Sequence, residues 1–219
     1  MSKKALVIKT KDLFQSPVTT DVALVSKPEL LFSISPFLMD RAICENDENY
    51  LQIIPYITLV DNQTNEIFVY QRGKVGQENR LHEKYSLGLG GHIDIAPATQ
   101  KQFKEVIARE AARELTEEVG LHDLTEQFKY KLDENLFGVF YSTLDSVARV
   151  HLCVSMFIYI DKATLADHEK NVIEHGQWLS FNDILDKRNN DELSFETWSN
   201  IIISIMREHI DDWNDLNDR

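Results

Sequence analysis

Cysteine is nearly absent from this chain, and the two it has, Cys44 and Cys153, stand in no metal-type or redox-type spacing. That argues against a cysteine-built site and predicts two small buried side chains in a reduced compartment. Long apolar runs are missing as well: nothing approaches the ~20 consecutive apolar residues of a membrane helix. The stretch behind the two lysines near the start is only Ala5–Ile8, shorter than the ~7-residue core of a signal peptide, so a cytoplasmic soluble chain is expected. Basic charge is in deficit, with 23 Lys and Arg against 36 Asp and Glu and a net charge of −13. Such a balance argues against nucleic acid or an anionic membrane as a partner. A small phosphorylated substrate stays compatible, because a bound divalent cation reverses the local sign. No internal repeat and no low-complexity block appears. The 219 residues, 43% of them apolar, suit one large domain or a domain with extensions.

What is present is a set of periodic segments. Ala5–Ile8 reads as a strand, and Pro28-Glu29-Leu30-Leu31 behind Ser26 as a short helix. Ile53–Val60 and Glu66–Gln71 are β-rich runs across the turn Asp61-Asn62-Gln63-Thr64-Asn65, a hairpin. The glycine-rich stretch Ser86–His92 follows. Ala98–Val119 then carries helical periodicity, with Ile107, Ala108, Ala111, Leu115 and Val119 on one face and Gly120 at the stop. Leu136–Tyr141 and Val147–Ile160 read as strands, the second alternating strictly from Val150 to Ile160. Gln177–Ser180 is a further short strand, Phe181–Lys187 a short helix and Ser194–Leu216 a final helix. Strands on both sides of a central helix predict a mixed α/β domain.

The chemistry concentrates in Arg113-Glu114-Leu115-Thr116-Glu117-Glu118-Val119-Gly120-Leu121. On a helix, Glu114, Glu117 and Glu118 share an arc of roughly 100°, with Glu110 on it too. Like charges four apart repel by a few tenths of a kcal/mol, and these lie toward the helix's negative end. Hard cations such as Mg²⁺ or Mn²⁺ would relieve that repulsion. Alone, such a run reads equally as a solvated acidic face.

From Glu105 to Leu121 the chain resembles the Nudix hydrolase family, whose box reads Gly-x5-Glu-x7-Arg-Glu-U-x-Glu-Glu-x-Gly-U, with U a bulky aliphatic. Glu105, Arg113, Glu114, Leu115, Glu117, Glu118, Gly120 and Leu121 occupy its fixed positions in one register. One departure stands out: thirteen residues rather than five separate Gly91 from Glu105, the extra eight falling around Ile95–Gln102. Gln52-Ile53-Ile54-Pro55-Tyr56, Glu78-Asn79-Arg80-Leu81-His82, Gly90-Gly91-His92-Ile93 and Arg149-Val150-His151-Leu152 are similar to a subgroup of Nudix phosphohydrolases.

The resemblance implies an α/β/α sandwich around a mixed β-sheet spanning residues 51–190. Residues 1–50 would be an N-terminal extension packing on that core, and 191–219 a C-terminal helix serving either core packing or a homodimer contact. It implies that Glu114, Glu117, Glu118 and the carbonyl of Gly91 hold Mg²⁺ or Mn²⁺, and that Glu105 pairs with Arg113 to fix the loop against the helix. The implied activity is cleavage of a diphosphate bond in a nucleoside diphosphate linked to another moiety, a class that runs from ADP-ribose to nucleotide sugars. Gly90 and Gly91 would line the substrate side. Arg72, Lys74 and Arg80 form a local basic cluster suited to substrate phosphates. Glu174 is the general-base candidate, with His92 and His151 behind it. Tyr70, Tyr85 and Phe140 could stack a base, although aromatics in strands more often fill cores. The alternative is a Nudix-fold nucleotide sensor that binds without cleaving. Cys44 and Cys153 lie in no setting that suits an isopentenyl diphosphate isomerase.

Overall fold

The apolar runs and helical periodicities become strands and helices in a computed structural model, which describes residues 2–14, 16, 18–25, 28–73, 83–122, 132–165 and 173–208. In chain order the elements are β1 (Lys4–Lys9), α1 (Thr10–Leu13), β2 (Val22–Leu24), α2 (Glu29–Ser33), β3 (Phe37–Asp40), α3 (Arg41–Cys44), β4 (Tyr50–Asp61), β5 (Ile67–Arg72), β6 (Tyr85–Ser86), β7 (Gly88–Leu89), α4 (Phe103–Val119), α5 (Leu132–Asn135), β8 (Leu136–Ser142), β9 (His151–Ile160), β10 (Ile173–Leu179), α6 (Phe181–Asn189) and α7 (Thr197–Glu208). This is a mixed α/β fold. Among the described residues no helix is long and apolar enough to cross a membrane.

Contacts group the chain into two units, each built of two stretches. The first comprises Met1–Ile57 and Leu89–Phe157. Here β1 lies antiparallel between β3 and β4, with Val7 opposite both Phe37 and Gln52. The segment before Tyr50 therefore enters the core as sheet. Leu6 and Ile8 are fully buried on one face of β1, while Ala5 and Val7 pack on the other with Cys44. Burial pushes the Cys44 thiol up from its ordinary value. Cys44 and Cys153 are both free and buried, as small apolar residues would be. β8 pairs antiparallel with β2 and β9, and β9 adjoins β4.

Helix α4 starts five residues later than the expected Ala98. Thr99 is extended, and Gln100–Gln102 form a single 3₁₀ turn before Phe103. Most of the eight-residue insertion therefore lies in the loop ahead of the helix. The stop is as expected: Gly120 takes the left-handed conformation (φ 67°), and the Leu121 N–H reaches back to the Leu115 carbonyl at 3.2 Å. Glycine reaches that conformation without a side-chain clash. A 3₁₀ turn over Ala148–Val150 likewise delays β9 to His151.

The second unit comprises Thr58–Gly88 and Ile158–Arg219. The end of β4 turns into β5 as expected, with Val60 opposite Ile67. β5 pairs antiparallel with β10 and β6. Tyr70 is buried and donates its hydroxyl to the Gly88 carbonyl at 2.9 Å, Phe68 packs on Trp178, and Tyr85 packs on Phe195, so these aromatics serve the core. Phe140 is fully buried in the first unit. Trp198, Ile201, Ile202, Ile203 and Met206 of α7 are buried, the core-packing outcome for this helix; Trp213 and Leu216 lie outside the described residues.

Asp61 closes the hairpin. Its carboxylate accepts from the Thr64 N–H (2.9 Å) and hydroxyl (2.6 Å) and from the Lys162 N–H (3.0 Å). Burial works to raise its pKa, but these bonds and the nearby Lys162 charge outweigh it and hold the carboxyl below 3.8. A carboxylate so depressed stabilises the fold above its unfolded pKa and loses that contribution as pH falls through the folded value. Asp61→Ala is expected to lower unfolding free energy by about 2 kcal/mol at neutral pH, since two N–H groups and a hydroxyl lose their acceptor. Urea titrations should show the gap to wild type shrinking as pH drops below 3.8.

Candidate functional site

Helix α4 buries an unusual face. Besides Phe103, Val106, Ile107, Ala108, Ala111, Ala112, Leu115 and Val119, it takes Glu110 and Glu114 out of solvent. Carboxylates are seldom buried unless paired, and the partner here is Arg113. Its Nε donates to Glu110 at 2.9 Å, Nη1 to Glu117 at 2.7 Å and Nη2 to Glu114 at 2.5 Å. Burial opposes the charge on Arg113, but its bonds to Glu110 and Glu117 and the adjacent Glu114 charge outweigh that, so its pKa is raised. Glu114 shifts the other way from an ordinary ion-paired acid. Burial lifts its pKa, Arg113 opposes this, and the charges of Glu117 and Glu110 add to the rise.

This corrects one expectation. Arg113 does not pair with Glu105, which is exposed. The reason is helical geometry. With the helix beginning at Phe103, Glu105 sits in its first turn, and eight residues of rise put it about 12 Å along the axis from Arg113. Glu110, three residues before Arg113, takes that place.

The turn before the helix is held by close approach. A Cβ on Gly90 would lie 1.9 Å from the Pro55 carbonyl oxygen, and one on Gly91 would lie 2.5–3.0 Å from the Glu114 carboxylate. At Gly90 only a bare α-carbon fits, whereas at Gly91 a Cβ would force the Glu114 carboxylate to turn aside. The His92 carbonyl accepts from Arg113 Nη2 at 3.4 Å, and the Ile93 carbonyl accepts from the Leu6 N–H at 2.7 Å. Gly91, Arg113, Glu114 and Glu117 thus meet as a connected set, with Glu110 added. Glu118 is half-buried one turn along from Glu114.

The other candidates fall on several elements. Arg72 ends β5 and Glu174 lies near the start of β10, both in the second unit, where Ile173 faces Arg72 and Glu174 faces Gln71. Lys74, Arg80 and the stretch Glu78–His82 lie outside the described residues. His92 and His151 touch each other, with Nε2 atoms 3.2 Å apart and rings at 72°. Burial, reinforced by His151, Arg41 and Lys3, drives the His92 pKa down to about 2. Spacing could not have revealed this pair, since 59 residues separate the two.

The donor chemistry fits a hard divalent cation. Glu110, Glu114 and Glu117 share the Arg113 guanidinium, Arg109 adds a 3.6 Å contact to Glu110, and Glu118 follows on the next turn, so oxygen donors outnumber the cations beside them. Among the described residues no three His, Cys, Asp or Glu side chains already converge on one point; Arg113 engages Glu114 and Glu117 instead.

No protein-family model matches the chain. It is 26% identical over 212 residues to Protein YmaB of Bacillus subtilis (strain 168), covering 94% of this chain and 98% of that one. The crystal structure of Tm1382, described as a candidate Nudix hydrolase, superposes with a TM-score of 0.65 at 23% identity, covering 93% of this chain and 98% of that one. The likeness to Tm1382 shows the fold: this chain has the Nudix fold.

Proposed function

We propose that this chain is a divalent-cation-dependent Nudix hydrolase that cleaves a diphosphate bond in a nucleoside diphosphate linked to another moiety. The observation that carries the reading is the acidic arc of α4 set against Gly91, on a helix that matches the Nudix box from Glu105 to Leu121. Glu114, Glu117, Glu118 and the Gly91 carbonyl are the groups assigned to hold Mg²⁺ or Mn²⁺. Bound there, such a cation supplies charge neutralisation on the diphosphate and a lowered pKa for an attacking water.

The chain's own residues prepare that site. Arg113 pairs with Glu110, Glu114 and Glu117 and orients their carboxylates side by side. Its contact with the His92 carbonyl ties the glycine turn to the helix, the part first assigned to Glu105. Gly90 and Gly91 leave the turn without side chains on the substrate side. Arg72 and Arg80 are assigned to the substrate phosphates and Glu174 to the general base.

The test is a panel of nucleoside diphosphate derivatives incubated with the protein and Mg²⁺ or Mn²⁺, with products separated chromatographically. Cleavage that requires the cation and stops with chelator supports the reading. Ligand-induced melting shifts without turnover of any compound would replace it with the sensor.

A further inference from the structure

We propose that His151 is a positioning residue for the glycine turn, setting the cation affinity of the acidic helix through its bond to His92. The inference rests on the hydrolase reading for its cation and on hydrogen-bond logic for everything else.

His151 opens β9 and is almost completely buried. Its Nδ1 lies 2.6 Å from the Val147 carbonyl oxygen. A carbonyl can only accept, so Nδ1 carries the proton and donates. In a neutral ring the Nε2 atom then presents a lone pair, and the atom facing it at 3.2 Å is His92 Nε2. That contact is a hydrogen bond only if His92 carries its proton on Nε2. One carbonyl in the 145–150 turn thereby fixes the tautomers of two rings. The Val147 carbonyl is held in turn, because the Asp145 carboxylate accepts from the N–H groups of Val147 and Ala148, each at 2.7 Å.

The consequence falls on the turn. Gly90 and Gly91 have no side chain by which to be held, so His92 is the first residue after them that can be gripped. It is gripped at both ends, its ring by His151 and its carbonyl by Arg113. Gly91 lies between that anchor and the Gly90 contact with Pro55, pressed against the Glu114 carboxylate. Releasing the His92 ring frees the carbonyl of the preceding residue to swing away from the carboxylates. Partners one step removed from a metal's ligands characteristically change affinity by about 10–100-fold when lost.

Two measurements test this. Long-range ¹H–¹⁵N correlation spectra of the wild-type protein should show His151 as the Nδ1–H tautomer and His92 as the Nε2–H tautomer. The reverse assignment for either ring overturns the proposal, whatever the variants do. Mn²⁺ titrations followed by electron paramagnetic resonance should then show His151→Leu binding at least about tenfold more weakly than wild type. His151→Gln, which restores an acceptor oxygen, should recover most of that loss. A wild-type chain that holds no Mn²⁺ overturns the hydrolase reading itself. A wild-type chain that binds it, alongside a folded His151→Leu chain that binds it within twofold, overturns this inference alone.

Discussion

Glu117→Gln is expected to lower kcat by about a thousandfold on whichever diphosphate compound the protein cleaves, with almost no change in melting temperature. The two halves of this result have separate causes. Glu117 is exposed and meets Arg113 at 2.7 Å. A surface pair of this kind contributes under about 1 kcal/mol to stability. The loss in rate comes from removing one anionic oxygen donor from the proposed cation site, where several kcal/mol of charge stabilisation are at stake and each ~1.4 kcal/mol is tenfold in rate. Steady-state kinetics at saturating Mg²⁺, paired with thermal melts, check both halves. Turnover within threefold of wild type would remove Glu117 from the proposed site. Glu114→Gln should lose activity to a similar degree for a different structural reason. Burial lifts the Glu114 pKa, so the neutral isostere removes the cost of burying a charge and the fold should hold or gain stability.

Gly90→Ala and Gly91→Ala are expected to fail in opposite ways. At Gly90 the added methyl would meet a backbone carbonyl of β4 at 1.9 Å, and backbone in the middle of a strand cannot step aside. Overpacking of that kind costs about 3 kcal/mol. For a chain of this size that corresponds to a melting temperature lower by roughly 10 °C. At Gly91 the added methyl meets the end of the Glu114 side chain, which can turn aside. Stability should fall by under about 1.5 kcal/mol, while cation binding is lost because Glu114 has moved. Calorimetry and Mn²⁺ titration on the two variants separate these outcomes. Equal melting temperatures would show that the Pro55 carbonyl yields more easily than its strand position implies.

The elements legible in the sequence were those whose own residues carry a period. The hairpin of β4 and β5, the alternation in β9 and the apolar face of α4 each bury one side along several turns or pleats, and each lies close to where the pattern puts it. The start of α4 was not legible, because Ala98–Gln102 is as compatible with helix as with the extended Thr99 and the 3₁₀ turn found there. The short strands β2 and β3 and the short helices α1 and α3 are fixed by what they pack on. β3 exists because β1 offers it an edge, a fact that four residues cannot announce. At the proposed site, the box spacing leads to a Glu105–Arg113 pair, whereas Arg113 meets Glu110, Glu114 and Glu117. Motif spacing counts residues, whereas an ion pair within one helix depends on how many turns lie between them. Glu110 lies on the same acidic arc and, three residues before Arg113, is within reach of its guanidinium.

Each of the two units is assembled from two stretches of chain, with residues 58–88 and 89–157 interleaved between them. Neither unit is therefore a contiguous piece that a truncation could release. A chain leaving the ribosome N-terminus first can pair β1 with β3 and β4 early, but β4 lacks its neighbour β9 until residue 160 has been made. The second unit waits longer still, since β5 lacks its neighbour β10 until residue 179 has emerged. Long-range closures of this sort are paid for late in folding, and they leave unpaired strand edges open in the meantime. Late synthesis of β9 and β10 is thus the period in which such a chain is most open to aggregation.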